Sequence, residues 1–297
     1  MRYINNSANK LRKLLKNNKF ISAPCCFDAL SAKIVENSGF ELTVLSGFSV
    51  AATRLCMPDL GLISYSEVYD QAKNIRESIS IPLVVDADNG YGNIMNVRRT
   101  AAEFIKLGCA GIIIEDQVLP KRCGHTPGKE IVSREESYDR IKAVSDVREE
   151  IGDIVIIART DANHTHGLNE AIDRGQEYFN LGADVIFIEA PKNLNEMKVI
   201  CKEVPGKKII NMLEGGLTPI LSLDEMKTIG FNIAFHPLSL LAASMSAMKD
   251  VLQLLKENKP TDELLLNFKE IKETIGFNEY YKIYSQYNSL DKDKNIE

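Results

Sequence analysis

Phe20-Ile21-Ser22-Ala23-Pro24-Cys25-Cys26-Phe27-Asp28 decides the fold, because an apolar strand here runs into a turn without glycine. A doubly wound nucleotide-binding sheet needs a Gly-rich phosphate turn after its first strand. No G-x-G-x-x-G occurs anywhere in the chain. Working outward, further Val-, Ile- and Phe-rich runs predict strands at Phe20–Ala23, Leu42–Ser46, Leu83–Asp86, Gly111–Glu115, Ile154–Arg159, Val185–Glu189, Lys208–Asn211 and Ile233–His236. Their continuous apolar character fits strands buried on both faces. Between them lie helical patterns. Ser66–Ile79 opens on a Ser followed by Glu67, Ser133 begins a capping-box pattern, and Asn169–Leu181 stops at Gly182. Eight strand–helix units without a linker predict one (β/α)8 barrel domain, a TIM barrel, over residues 1–297.

The composition agrees with an ordinary globular enzyme-sized chain: 297 residues, 44% hydrophobic and 26% charged. A net charge of −5 argues against nucleic-acid binding, which needs a basic stripe. No apolar run reaches the roughly eighteen residues of a membrane span. The first twenty residues are basic and weakly amphipathic, predicting a surface helix, and contain no apolar secretory segment. Six cysteines without C-x-x-C spacing fit reduced thiols, so a cytoplasmic location is expected. Tyr280, Tyr281, Tyr284 and Tyr287 stripe a C-terminal helix in a pattern that packing would explain.

Barrel enzymes carry their chemistry at the C-terminal ends of the strands. Seven of the eight expected strands end on polar groups: Ser46, Asp86 with Asp88, Glu115 with Asp116, Arg159 with Asp161, Glu189, Asn211 and His236. Clustered carboxylates raise one another's energy unless a cation sits among them. Asp86 and Asp88, two apart on an extended segment, can face one ion, and Glu115 and Asp116 can reach the same place. Oxygen ligands without nearby His or Cys suit Mg2+ or Mn2+; a salt-bridged carboxylate cluster is the alternative. Gly90 and Gly92 then allow a tight turn and close approach to a ligand. In the loop after the fourth strand, Lys121 and Arg122 flank Cys123 and should hold its thiol pKa down, leaving it available as a general acid. A Schiff-base role for Lys121 is disfavoured, since an acid-rich mouth raises its pKa.

These residues bring a family into view. Phe27-Asp28-Ala29-Leu30-Ser31-Ala32, Ser46-Gly47-Phe48, Pro58-Asp59, Asp86-Ala87-Asp88-Asn89-Gly90-Tyr91-Gly92, Glu115-Asp116-Gln117, Lys121-Arg122-Cys123-Gly124-His125, Ala158-Arg159-Thr160-Asp161 and Asn211-Met212-Leu213-Glu214-Gly215-Gly216 together resemble the isocitrate lyase/phosphoenolpyruvate mutase superfamily over nearly the whole chain. The cysteine loop resembles its carbon–carbon lyase branch. The resemblance implies Mg2+ bound through Asp86 and Asp88, with Glu115 and Asp59 behind them. It implies Gly47 and Phe48 amides, beside Ser46, holding a carboxylate or oxyanion, Arg159 gripping a carboxylate, and Glu189 and Asn211 contacting substrate. Lys121, Gly124, His125 and Leu213 fall in the same motifs, and Cys123 becomes the proton donor on a mobile loop.

The implied substrate is a small 2-hydroxy di- or tricarboxylate, 2,3-dimethylmalate or 2-methylisocitrate, cleaved to pyruvate and a second carboxylate. Oxaloacetate decarboxylation or hydrolysis, phosphonate chemistry of the phosphoenolpyruvate mutase or carboxyphosphonoenolpyruvate type, and a non-catalytic dicarboxylate-binding barrel are the rivals. The resemblance also implies a homodimer or homotetramer in which helices within residues 238–290 swap between subunits.

Overall fold

Eight parallel strands close into a barrel in sequence order in the computed structural model, which describes residues 3–17, 19–126 and 128–287. They are β1 (Ile21–Cys26), β2 (Thr43–Leu45), β3 (Leu83–Asp86), β4 (Gly111–Glu115), β5 (Val155–Thr160), β6 (Val185–Ile188), β7 (Lys207–Asn211) and β8 (Ile233–His236). Closure comes from β1 on β8, in register from Ile21 opposite Ile233 to Pro24 opposite His236. Both faces are buried, as the unbroken apolar runs demand. Val84, Ile113, Ile157, Phe187 and Ile209 fill the interior, whereas Val85, Ile112, Ile114, Ile156 and Ile186 pack outward among the helices.

That alternation positions the site. Extending each inward row by two residues gives Asp86 after Val84, Glu115 after Ile113, Arg159 after Ile157, Glu189 after Phe187 and Asn211 after Ile209. Five polar side chains are thereby delivered to the C-terminal mouth by strand geometry alone. Asp116 and His236 stand on the opposite parity. His236 accordingly faces Ser22, 3.0 Å from its hydroxyl.

Local details differ from expectation at several ends. β1 begins one residue later and runs to Cys26, and β2 stops at Leu45. Ser46 instead caps the short helix Gly47–Val50, accepting the Ser49 N–H. The helix Tyr65–Ser78 is capped by Ser64, whose hydroxyl and backbone exchange bonds with Glu67, rather than by Ser66. Ser133 does cap Arg134–Ile151, but Glu136 turns to pair with Arg140 at 2.7 Å.

The N-terminal helix Asn6–Lys16 is more than a surface feature. Leu11 and Leu15 enter the interior cluster and cover the N-terminal end of the barrel. Asn5 donates to the carbonyls of Cys109 and Asp153, while Arg12 bridges Asp153 and Asp184 at 2.6 and 2.7 Å. An open barrel end would leave interior methyl groups in water, and the helix removes them from it.

The chain divides into two compact units, Met1–Ala242 and Ala243–Glu297. Within the second, the remainder of the helix Ser239–Lys256 is followed by Phe268–Thr274 and Phe277–Tyr287. Tyr280, Tyr281, Tyr284 and Tyr287 all remain exposed, as do Leu252 and Phe268, so packing among the described residues of this unit does not account for the stripe. Residues 288–290 of the expected C-terminal helical region lie outside the described residues.

Candidate active site

One cavity opens at the C-terminal ends of the strands. Phe187 and Phe235, edge to face at 6.2 Å, form part of its floor with Val44 and Ile113. Cys25, Ser46, Phe48, Asp59, Asp86, Cys123, Gly124, His125, Arg159, Glu189, Asn211, Leu213, Pro237 and Leu238 complete the lining. Asp88, Glu115 and Lys121 lie immediately behind it, all buried.

Arg159 is the centre of the charge. Its guanidinium stands 2.9 Å from Asp161, 3.3 Å from Glu115 and 3.4 Å from Glu189, and lies over the Phe187 ring. Burial opposes its charge, but the three carboxylates outweigh that and hold its pKa well above the ordinary value. Glu189 feels the reverse balance: burial favours its neutral form, yet Arg159 and His125 keep its carboxyl below the usual range. Leu217 donates its N–H to His125 Nδ1 at 3.1 Å, so the ring proton sits on Nε2, facing Glu189 at 2.9 Å. Asn211 donates to the other Glu189 oxygen at 3.0 Å.

The acidic side of the mouth is organised by Lys121. Its ammonium lies 2.8 Å from Asp59 and 2.5 Å from Asp88. Burial lowers the Lys121 pKa, and Asp88, Asp59 and Glu115 more than restore it. Asp88 is pushed up to about 7 by burial and by Asp86 and Asp59, against the pull of Lys121. Burial also drives Glu115 well above the carboxylate range, although Arg159 pulls it down. Neither Glu115 oxygen meets a donor in hydrogen-bonding alignment. A Cβ on Gly47 would come within 3.1 Å of Asp86 and 3.5 Å of Asp88, so this glycine brings backbone amides close to both carboxylates.

Among the described residues, no three Asp, Glu, His or Cys side chains converge tightly enough to cage an ion by themselves. A cation that keeps most of its waters needs only one or two carboxylates. Asp86 and Asp88, with Glu115 behind, whose oxygens accept no aligned hydrogen bond, fit such a hydrated hard cation.

Two expectations are corrected here. Asp116 does not reach the mouth, because adjacent strand residues point to opposite faces. It accepts instead from Thr160 at 2.6 Å, the Asp161 N–H at 2.9 Å, Arg174 at 3.0 Å and Tyr178 at 3.2 Å. Gly90 makes the tight turn expected of it, at φ +86° with its N–H donating to the Ala87 carbonyl at 2.9 Å, and packing requires it as well, since a Cβ there would stand 2.5 Å from Val97. The Cys123 thiol is not held down by its neighbours. Lys121 is turned into Asp59 and Asp88, and burial raises the thiol pKa. A thiol that keeps its proton at neutral pH suits an acid.

Sequence reasoning missed Lys129 altogether. Its ammonium, fully buried, reaches Asp161 at 2.8 Å and the Gly124 carbonyl. No local pattern marks a lysine as buried, and only its place in the Cys123 loop could have drawn notice. Pro237 and Leu238, on the cavity wall just beyond β8, were likewise unread as site residues.

The thiol's environment has a direct consequence. Alkylation of Cys123 by iodoacetamide, followed on its peptide by mass spectrometry, should keep accelerating with pH past the ordinary thiol value of about 8.5. A rate that levels off near pH 7 would contradict the burial argument.

The geometry on these strands is matched by known proteins. The phosphoenolpyruvate phosphomutase family profile covers residues 11–256. The chain is 40% identical to 2,3-dimethylmalate lyase of Eubacterium barkeri over 285 residues, covering 95% of this chain and 98% of that one. It is 36% identical to 2-methylisocitrate lyase of Halalkalibacterium halodurans over 288 residues, covering 96% and 92%. Its fold superposes on oxaloacetate acetylhydrolase in complex with the inhibitor 3,3-difluorooxalacetate with a TM-score of 0.90 at 32% identity, covering 94% and 96%. The chain therefore belongs to the phosphoenolpyruvate mutase/isocitrate lyase superfamily, as one of its carbon–carbon lyase enzymes.

Proposed function

We propose that this enzyme is a Mg2+-dependent lyase that cleaves a 2-hydroxy dicarboxylate of the alkylated-malate type, 2,3-dimethylmalate, to pyruvate and propionate. The observation that carries the reading is one cavity lined by Asp86, Cys123 and Arg159 together, a carboxylate for a metal, an acid and an anion grip. A binding-only barrel has no need of the thiol. Mg2+ held by Asp86 and Asp88, with Glu115 and Asp59 nearby, would supply the charge that lowers the pKa of a substrate 2-hydroxyl; Mn2+ suits the same oxygens.

The chain's own groups do the rest. Arg159 holds one substrate carboxylate, and the Gly47 and Phe48 amides, beside Ser46, stabilise charge on the keto-acid half. Glu115, in the ionised form that a neighbouring cation would favour, takes the hydroxyl proton through a water. The C2–C3 bond then breaks, its electron pair passing to C3 and the adjoining carboxylate while C2 becomes the pyruvate carbonyl. Cys123 delivers a proton to C3. One proton leaves oxygen and one arrives at carbon, so propionate and pyruvate balance the substrate. His125, Glu189 and Asn211, already linked to one another, hold the substrate's orientation, with Lys121 fixing the acidic wall. Gly124 and Leu213 line the remaining space.

Substrate size follows from the charge count. Arg159 is the sole guanidinium or ammonium lining the cavity among the described residues. A tricarboxylate such as 2-methylisocitrate needs a further cation. Ala242 carries none where relatives of that specificity are expected to have an arginine, and Lys269, in the place of a second, is a point charge without the planar fork that grips a carboxylate by two bonds. A carboxylate left unpaired in a closed site costs on the order of several kcal/mol. Oxaloacetate hydrolysis is the second reading, favoured by the oxaloacetate acetylhydrolase superposition and by the same dicarboxylate charge.

The remaining parts of the proposal are the cytoplasmic setting, supported by six free cysteines, and assembly as a homodimer or homotetramer with helices within residues 238–290 exchanged between subunits. The assembly is supported by the apolar exposure of the second unit, where Leu252 is 63% and Phe268 71% exposed. Sedimentation equilibrium should return two or four times the 33.2 kDa chain mass; a monomer would contradict it.

The function is tested by product release with Mg2+ from 2,3-dimethylmalate, 2-methylmalate, 2-methylisocitrate, isocitrate, oxaloacetate and phosphonopyruvate at matched low concentrations. We expect 2,3-dimethylmalate to give at least a hundredfold higher kcat/KM than 2-methylisocitrate, and Cys123→Ser to lose most of the turnover. Preference for the tricarboxylate would overturn the charge argument. Release of oxalate and acetate from oxaloacetate as the dominant activity would select the second reading.

A further inference from the structure

Lys129 makes two contacts with different parts of the site. It donates to Asp161 at the end of β5 and to the carbonyl of Gly124, the residue after Cys123. Its side chain and that of Asp161 are both fully buried. Asp161 is at the same time the closest carboxylate to Arg159. One carboxylate is therefore shared between a cation of the Cys123 loop and the cation that faces the cavity, and burial's penalty on its charge is overcome by both, holding it at about 2.

The loop is built to press on this pair. Its neck is tied by Val118 N–H to the Glu130 carbonyl at 3.1 Å and by the Gln117 side chain to both backbone groups of Arg122. At its tip, a Cβ on Gly124 would stand 2.4 Å from Arg159 and 2.8 Å from Glu189, so the bare backbone rests directly on the guanidinium. A buried ammonium is stable only when its partners are in place. Lys129 has both of its partners, Asp161 and the Gly124 carbonyl, only when Gly124 is seated.

We propose that Lys129 is a positioning residue that latches the Cys123 loop and keeps Arg159 available to an incoming carboxylate. With the latch closed, Asp161 Oδ1 is shared between Lys129 at 2.8 Å and Arg159 Nη2 at 3.3 Å, so Asp161 divides its charge between two cations and offsets less of the Arg159 charge that faces an incoming carboxylate. With it open, Asp161 neutralises Arg159 alone. Seating of the acid and readiness of the anion grip become one event. The kinetic half of this inference rests on the lyase reading; the latch itself does not.

The test uses the full chain carrying Lys129→Met, first without any ligand. Iodoacetamide should modify Cys123 at least tenfold faster than in the wild type, while Cys26 and Cys109, both buried in the barrel, stay as unreactive as before. An unchanged Cys123 rate overturns the latch. Modification of Cys26 and Cys109 in step with Cys123 would reveal general loosening and overturns it equally. In the cleavage assay, kcat/KM should fall at least tenfold with a raised KM, and wild-type kinetics would overturn the coupling to Arg159. Wild-type silence towards the whole substrate panel would remove the lyase reading while leaving the alkylation result to decide the latch.

Discussion

An excess of buried carboxylate at the barrel mouth is the constraint to which the rest of the site answers. Asp59, Asp86, Asp88, Glu115, Asp161 and Glu189 converge there against Lys121, Lys129 and Arg159. Like charges in a low-dielectric site cannot all ionise without compensation. The protein meets this by dividing the cluster. Asp161 and Glu189 are held ionised by Arg159 and its neighbours, whereas Glu115 and Asp88 are pushed towards their neutral forms. The second group is where a divalent cation would have most to gain, because its charge would favour the ionised forms of both, Asp88 as a ligand and Glu115 behind it. A dianionic substrate adds further negative charge to the same place, which makes an added cation more necessary still.

The barrel makes such a concentration tolerable. The two apolar layers are complete without the mouth side chains, whose backbones pair at the strand ends, so the electrostatic load falls on strand ends rather than on the core. Beyond the mouth, Asp116 with Thr160, Arg174 and Tyr178 ties the ends of β4 and β5 to the helices. That network fixes the backbone from which Glu115 and Asp161 project. Precision at the site thus comes from groups that never touch the cavity.

Much of this was legible in the sequence, for a physical reason: a strand fixes side-chain direction every second residue. The unbroken apolar runs gave the strands, the absence of a glycine turn after β1 excluded the competing sheet, and inward parity carried Asp86, Glu115, Arg159, Glu189 and Asn211 to one place. Where side-chain direction is not periodic, reading failed. Lys121 turned away from Cys123, so the thiol lost its expected cationic neighbours. Lys129 sits in a loop, and nothing local distinguishes a buried loop lysine from a solvated one. The N-terminal helix read as a surface element because four apolar residues among many lysines look amphipathic whether the apolar face covers a barrel end or a flank. The exposed tyrosines from Tyr280 to Tyr287 have no explanation in the packing of the described residues of their own unit.

The central claim is that the acidic half of the mouth is a cation site held partly protonated. Calorimetric titration of the protein with Mg2+ between pH 6 and 9 tests it most directly, because ligands must lose their protons to bind a metal. The account predicts one saturable site per chain, with affinity rising as pH rises and proton release on binding near neutral pH that fades towards pH 9. No saturable binding, or an affinity indifferent to pH, would contradict it.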